Sequence, residues 1–341
     1  FQTAFSLSPN IMNTTPRAIL PPAMLGILGG GQLGRMFTVA AQTMGYRVTV
    51  LDPDPHAPAA AFAERHLCAP FDDAAALAEL AQCAAVTTEF ENVSADAMRF
   101  LAKHTTGSPS GHCVASAQNR IEEKAWTRKA GLHTAPDQVV QSAADISQAS
   151  AGFLPGILKT ATLGYDGKGQ IRVHSLAQLH EAFAAHGKVA CVLEKMVDLR
   201  SEISVIVCRL GNEESHTFDP AENIHENGIL AYSIVPARLP QTVLGQARQM
   251  AQQLADALDY VGVLAVELFV VGDEQTLVVN EIAPRPHNSG HHTLDACAAD
   301  QFQQQVRIMC GLPPADTRLL APACMANILG DVWPDKGGTP D

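Results

Sequence analysis

Lys159 closes an apolar run, Ile157-Leu158, and is followed by Gly164-Tyr165-Asp166-Gly167-Lys168-Gly169-Gln170, a glycine-rich loop carrying a second lysine. Much later in the chain, two apolar runs each carry one acid, Glu267 and Glu281. Glycines let backbone amides approach an anion, lysines offset phosphate charge, and paired carboxylates hold a divalent cation. These segments therefore describe a nucleoside triphosphate site with Mg2+ or Mn2+ at its tail. Without a cation, two facing carboxylates would repel and one would be driven to take a proton. Lys159 inside an apolar strand reads as a phosphate contact rather than a snorkelling surface lysine.

The loop is not a Walker motif, which needs Ser or Thr after Gly-Lys: Gly167-Lys168 is followed by Gly169, and Gly187-Lys188 by Val189. Its flanks alternate like strands, so it reads as a hairpin lid over phosphates. Directly after Glu281 comes Ala283-Pro284-Arg285-Pro286-His287-Asn288-Ser289-Gly290-His291-His292-Thr293, a proline-fixed stretch of reaction-centre composition. Arg285 offers a planar fork for a carboxylate or bicarbonate, and His287 is suited to act near neutral pH. His291 and His292 read as structural, satisfied by backbone carbonyls. Glu194-Lys195-Met196-Val197 reads as a hinge whose backbone donors and acceptors bind adenine, with Glu202 on ribose hydroxyls.

Gly29-Gly30-Gly31-Gln32-Leu33-Gly34 fits the dinucleotide fingerprint, and Asp52 ends the following strand where a ribose-binding acid belongs. Taken alone this describes an NAD enzyme. The rest of the chain carries a triphosphate and metal kit and no hydride-transfer constellation, and a glycine turn at a helix N-terminus accepts any phosphate. Glu89 and Glu91, at the end of another strand of this region, face the same ligand end of the sheet.

These residues need a scaffold. At roughly 100–200 residues per domain the chain holds two or three, and its 341 residues are 47% hydrophobic, enough for several cores. Residues 1–23 read as a flexible leader. A strand at 24–28, a helix over 32–45, a strand at 47–51, a helix over 74–83 and a strand at 85–91 alternate as an open α/β unit covering 24–118. From 119 to 310 a mixed block follows, with a lid subdomain at about 119–197, a long amphipathic helix over 241–259, and a hairpin of 263–271 with 276–282. In that hairpin, period-2 alternation sets Glu267 and Glu281 opposite one another on one face. No internal repeat or low-complexity tract occurs.

Net charge is −12, from 23 Lys and Arg against 35 Asp and Glu, with no basic run. Nucleic acid and anionic membranes are poor partners for such a surface. The eight cysteines contain no Cys-x-x-Cys pair and lie mostly in apolar stretches, as reduced thiols of a cytoplasmic protein do. No apolar run approaches the ~18–20 residues that span a bilayer.

Gly30-Gly31-Gln32-Leu33-Gly34-Arg35-Met36, Lys159 with the Gly164–Gln170 loop, Glu194, Ser201-Glu202-Ile203-Ser204, Glu222-Asn223-Ile224-His225, Gly262-Val263 to Glu267, and Asn280-Glu281-Ile282-Ala283-Pro284-Arg285-Pro286-His287-Asn288-Ser289-Gly290 together resemble the N5-carboxyaminoimidazole ribonucleotide synthetases. These are ATP-grasp carboxylases of purine biosynthesis, and the resemblance runs over about residues 24–333. It implies an α/β and α+β chain, an ATP-grasp fold behind an N-terminal Rossmann-like (pre-ATP-grasp) domain, working as a homodimer.

It implies ATP contacts from Arg120, Lys159, Gly164, Tyr165, Asp166, Gly167, Lys168, Gly169, Gln170, Glu194, Lys195, Met196, Val197, Glu202, His225, Asn280 and Glu281, with Glu267 and Glu281 on the metal. Aminoimidazole ribonucleotide would meet Gln32, Leu33, Glu91, Tyr165, Asp166 and Lys168. Arg285, His287, Asn288 and Ser289 would line the place where bicarbonate is activated, with Arg285, His287 and Lys159 as the catalytic groups. The family continues into a C-terminal segment whose lysine and arginine hold the ribonucleotide phosphate, so 311–341 is expected to be the start of an incomplete C-terminal domain. The rival readings are a formate-dependent ribonucleotide transformylase of the same fold, an NAD-dependent oxidoreductase using the Gly29–Gly34 turn, and a nucleotide sensor without turnover.

Overall fold

The computed structural model describes residues 18–90, 92–148, 151–162, 164 and 169–330, and the side chains of all of these except Gln148 and Ala151. Three sheets carry the chain. The first has five parallel strands in the order Arg65–Leu67, Arg47–Leu51, Met24–Leu28, Ala85–Thr88, Thr106–Gly107. Helices cover both of its faces, which is why its central strands are apolar throughout rather than alternating. On one face Leu77, Leu80, Met98 and Leu101 pack under the sheet. On the other, Phe37, Ala40 and Ala41 of helix Gln32–Thr43 meet Phe302, Val306 and Met309 of helix Gln301–Met309. The first core is therefore completed by a helix from far along the chain, which local periodicity does not reveal.

Two expectations shift here. The stretch from residue 18 is tied down before Met24: the Ile19 amide donates to the Cys310 carbonyl at 2.8 Å, and the Tyr46 hydroxyl donates to the Ile19 carbonyl at 2.8 Å. The strand expected to run to Glu91 ends at Thr88.

The central sheet is antiparallel, in the order Thr276–Ala283, Gly262–Val271, Leu199–Arg209, Ala221–Glu226, Ile229–Val235, Ala323–Ala326, with Ser215–Thr217 also on Leu199–Arg209. Helix Gln241–Ala257 covers one face, where Leu244, Ala247, Ala251 and Leu254 pack on Val205, Leu264, Val266 and Leu268. Alternation along Gly262–Val271 then turns Glu267 and Phe269 to the opposite face, which is the wall of a cleft. Ala323–Ala326 pairs with Ile229–Val235, so this part of the segment expected to begin a separate domain is an edge strand of the central sheet.

The third sheet is antiparallel in the order Asp137–Val140, Cys191–Lys195, Gly156–Thr160, Gln170–Val173. Leu158, Leu193 and Val173 point into a core with Leu179 and Phe183 of helix Leu176–Ala185, so Ile157, Lys159 and Glu194 face the cleft from the other side. The flanks of the glycine loop pair as a hairpin, Lys159 opposite Gln170, and the Thr160 amide donates to the Gly169 carbonyl at 2.9 Å. No described helix is long and apolar enough to cross a membrane.

Candidate active site

A cleft of about 920 Å³ opens between the central and third sheets. It is lined by residues far apart in sequence, including Gln32, Arg120, Lys159, Gly164, Gln170, Glu202, His225, Glu267, Asn280, Glu281, Arg285, His287 and Asn288. Most residues singled out by type and spacing are thus brought together.

Its acidic wall depends on a bulge. From the hairpin turn the pairs run Val271 with Thr276 to Leu268 with Val279, and the next pair is Glu267 with Glu281. Asn280 is the extra residue, and such a bulge re-aims side chains and turns both Asn280 and Glu281 to the cleft. Burial, reinforced by the neighbouring Glu281 charge, pushes Glu267 up to about 8. His287 Nε2 lies 3.5 Å from Glu267, and Arg120 pairs with Glu281 at 3.1 Å. Arg238 pairs with Glu222.

The donor set fits a hard divalent cation. Asn280 Oδ1 is buried with no hydrogen-bond partner among the described residues, beside the two carboxylates. Oxygen ligands of this kind suit magnesium, which takes one or two carboxylates and completes its shell with phosphate and water. Among the described residues no group of three or more His, Cys, Asp or Glu side chains is arranged as an all-protein cage.

The facing wall is cationic. Lys159 and Lys124 both pair with Glu194, at 2.7 and 2.9 Å, and all three are buried. Burial alone would raise Glu194, but the two ammonium groups outweigh it and hold the carboxyl at about 2. Two lysines against one acid leave a net positive charge beside the glycine hairpin. Lys124 escaped the sequence reading, although it shares a face of helix Arg120–Lys129 with Arg120 and Glu123, and a buried face bearing three charged residues is the signal. Glu123, fully enclosed and pushed up to about 8 by burial, accepts the Ile282 amide at 2.5 Å and fastens this helix to the acidic strand.

The hinge expected over Glu194–Val197 is partly engaged within the chain. The Glu194 side chain pairs with the two lysines, which leaves the backbone to any adenine contact. The Lys195 and Met196 amides already donate to the Pro136 and Pro155 carbonyls, at 2.8 and 3.0 Å, so those two donors are taken. Met196 and Val197 still line the cleft beside Ile157 and Ala135 as an apolar slot. Glu202 pairs with His225 at 2.9 Å, a hydrogen bond that raises His225 against the effect of burial.

The Gly29–Gly34 turn is occupied by the chain itself. The Gly31 amide donates to Glu89 at 2.5 Å and the Gly30 amide to Asp52 at 2.7 Å. A Cβ on Gly31 would lie 2.3 Å from Glu89 Oε1, and one on Gly34 would lie 2.6 Å from the Gly29 carbonyl oxygen. Burial raises the Glu89 carboxyl while the loop amides pull it down. The fingerprint glycines thus accommodate an internal acid, and neither the expected phosphate nor a dinucleotide is needed to explain them. Glu91, Tyr165, Asp166, Gly167 and Lys168 lie outside the described residues.

Gln32 and Asn288 reach the cleft, but Leu33 and Ser289 do not. Leu33 borders a separate void of about 10 Å³ with Glu89 and Pro286. Ser289 is fully buried, its hydroxyl 2.7 Å from Ser204 Oγ and 2.9 Å from His287 Nδ1. Burial, then the Arg285 charge, holds His287 well below the usual histidine range. Gln301, missed by the sequence reading, brackets His287: it accepts the His287 amide and donates to the His287 carbonyl, both at 2.8 Å. His292 Nδ1 lies 2.9 Å from the Ser289 carbonyl, the structural role expected for it.

Comparison with known proteins adds names to this geometry. Residues 23–118 match the ribonucleotide synthetase preATP-grasp domain, and residues 125–302 match the ATP-grasp domain. The N5-carboxyaminoimidazole ribonucleotide synthase of Bacillus subtilis is 45% identical over 315 residues, covering 92% of this chain and 83% of that protein. The Staphylococcus aureus N5-carboxyaminoimidazole synthetase, solved with ADP, superposes with a TM-score of 0.88 at 37% identity, covering 92% of this chain and 85% of the other. The Aspergillus clavatus enzyme, solved with ADP and 5-aminoimidazole ribonucleotide, does so with a TM-score of 0.85 at 30% identity, covering 92% and 84%.

Proposed function

This chain belongs to the N5-carboxyaminoimidazole ribonucleotide synthases, and on that premise we propose how its cleft works. The reaction is ATP-dependent carboxylation of 5-aminoimidazole ribonucleotide in purine biosynthesis, with ATP as co-substrate, and the chain is a carbon–nitrogen ligase of ATP-grasp fold. The observation that carries the site assignment is the opposition of two walls: Glu267, Asn280 and Glu281 on one, and Lys159 with Lys124 on the other.

The triphosphate lies between these walls, adenine in the slot of Ala135, Ile157, Met196 and Val197, ribose by Glu202 and His225. Glu267, Glu281 and Asn280 would hold magnesium or manganese, which would draw charge off the transferring phosphoryl group. Lys159 neutralises the same charge from the opposite side, and Arg285 orients bicarbonate with its planar fork. A bicarbonate oxygen forms the new bond to the γ-phosphorus as the bond to the β-phosphate oxygen breaks, giving carboxyphosphate and ADP. Carboxyphosphate splits into CO2 and phosphate. The exocyclic amine attacks CO2, and the proton it loses passes to phosphate, leaving the carbamate. In this reading the Gly164–Gly169 segment serves to exclude water from the intermediate.

Gln32, Glu91, Tyr165, Asp166 and Lys168 complete the ribonucleotide side of this reading, and Asn288 lines its bicarbonate end. A homodimer in the cytoplasm, divided into a first domain at 24–118 and an ATP-grasp domain at 119–310, belongs to it as well. Measured ADP release should require bicarbonate and aminoimidazole ribonucleotide together. Release that followed formate in place of bicarbonate would move the chain to the transformylase reading.

A further inference from the structure

Ser204 stands beside Glu267 in the ladder, and Glu267 stands beside Glu281, so the three form one row across adjacent strands. His287 folds back over this row. Its Nε2 edge lies 3.5 Å from Glu267, and its Nδ1 edge meets Ser289, which meets Ser204. Ser204 is 1% exposed and Ser289 fully enclosed, so water does not compete for their hydroxyls.

The direction of this chain follows from one group that can only donate. The Ser289 amide points to His287 Nδ1 at 3.4 Å, capping the short turn Asn288–Gly290. An amide N–H pointing at Nδ1 is met best by a lone pair there, which gives the chain its direction, but at 3.4 Å the contact is too long to hold the tautomer without the serine hydroxyls. The Ser289 hydroxyl, 2.9 Å from the same nitrogen, then donates to it, and its oxygen receives the Ser204 hydroxyl at 2.7 Å. The ring proton is left on Nε2, facing the acids and the cleft.

We propose that Ser204 is a positioning residue that, through Ser289, fixes His287 as the neutral Nε2–H tautomer, so that His287 meets the reacting oxyanion as a hydrogen-bond donor and not as a base. The partner on one ring nitrogen decides which form the other presents. The inference rests on the reading of His287 as part of the bicarbonate end of the cleft. It narrows what His287 does there: the Nε2–H donates to a bicarbonate or carboxyphosphate oxygen, and the proton lost by the amine leaves by another route. The Gln301 bracket fixes the His287 backbone, and the serine pair fixes the ring.

The test is long-range 15N–1H correlation on the full chain labelled with 15N-imidazole histidine, the His287 signals being assigned by their loss in His287→Gln. The unsubstituted protein should show an unprotonated Nδ1 and a protonated Nε2. Ser204→Ala and Ser289→Ala should admit the other tautomer and lower kcat about 10–100-fold, the range for partners behind an active-site ligand, with KM for ATP unchanged. A protonated Nδ1 in the unsubstituted protein overturns the proposal without any variant having to fold. So does a folded Ser204→Ala with unchanged tautomer and kcat. Absence of bicarbonate-dependent turnover in the unsubstituted protein would instead refute the functional reading, since the tautomer spectrum is measured without substrates.

Discussion

Glu267 faces Glu281 across the hairpin because the second strand carries one residue more than regular pairing uses. Continued from Leu268 with Val279, the register would set Glu267 against Asn280 and turn Glu281 to the helix-covered face. The bulge reverses that, placing both acids and the Asn280 amide on the cleft wall.

Glu281→Gln is expected to lower bicarbonate-dependent ADP release by about 100-fold or more, the loss typical for removing a group that stabilises transition-state charge. Thermal unfolding should move little, because the side chain is partly open to the cleft. Turnover at the unsubstituted rate would mean that the metal is held elsewhere.

Asn280→Ala removes the unpartnered buried oxygen beside the acids. The KM for ATP should rise about tenfold, corresponding to about 1.4 kcal/mol. The bulge is set by strand length, so circular dichroism should be unchanged. A KM within twofold of the original would remove Asn280 from the cation or phosphate site.

Glu194 predicts a pH dependence. Its folded-state value of about 2 lies below the ordinary 4.5, so its stabilisation is present above pH 4.5 and is lost as pH falls towards 2. Two and a half units correspond to about 3 kcal/mol. Urea denaturation of the unsubstituted chain should weaken across that window. Glu194→Gln, which strands Lys124 and Lys159 without a counter-charge, should already be destabilised by about 3–5 kcal/mol at pH 7. Equal stability of the two proteins at pH 7 would refute the lysine–glutamate cluster as a source of stability.

Gly34→Ala drives a methyl group against the Gly29 carbonyl. A loss of about 1–3 kcal/mol is expected from such overpacking, read as a lowered urea midpoint. NADH fluorescence should not respond to the protein, because Glu89 and Asp52 already engage the turn amides. NADH binding in competition with nothing but that turn would restore the oxidoreductase reading.

Chelation by EDTA should reduce ADP release to background, with recovery on adding magnesium or manganese. ADP release that persisted in EDTA would exclude the cation from the reaction.

The residues proposed to do chemistry were legible because their types are improbable in their settings: a lysine ending an apolar strand, single acids in Val/Leu runs, Arg and His fixed between prolines. Periodicity likewise disclosed the strands and helices that carry them. Long-range pairing was not legible. The fingerprint glycines suggested a ligand, whereas Glu89, remote in sequence, fills their turn. Ser289 resembled a substrate contact and proved to be buried behind His287. Helix Gln301–Met309 gave no local sign that it closes the core of the first sheet.

The sequence by itself determined which side chains could hold a triphosphate and a cation, since charge, hydrogen-bonding capacity and backbone freedom belong to residue types. Tertiary structure alone decided which of them meet. A one-residue bulge chose the face of Glu281, and two lysines from different elements converged on Glu194. Burial then shifts Glu267 and Glu123 up and His287 down, because desolvation depends on everything packed around a group and not on the group's neighbours in sequence.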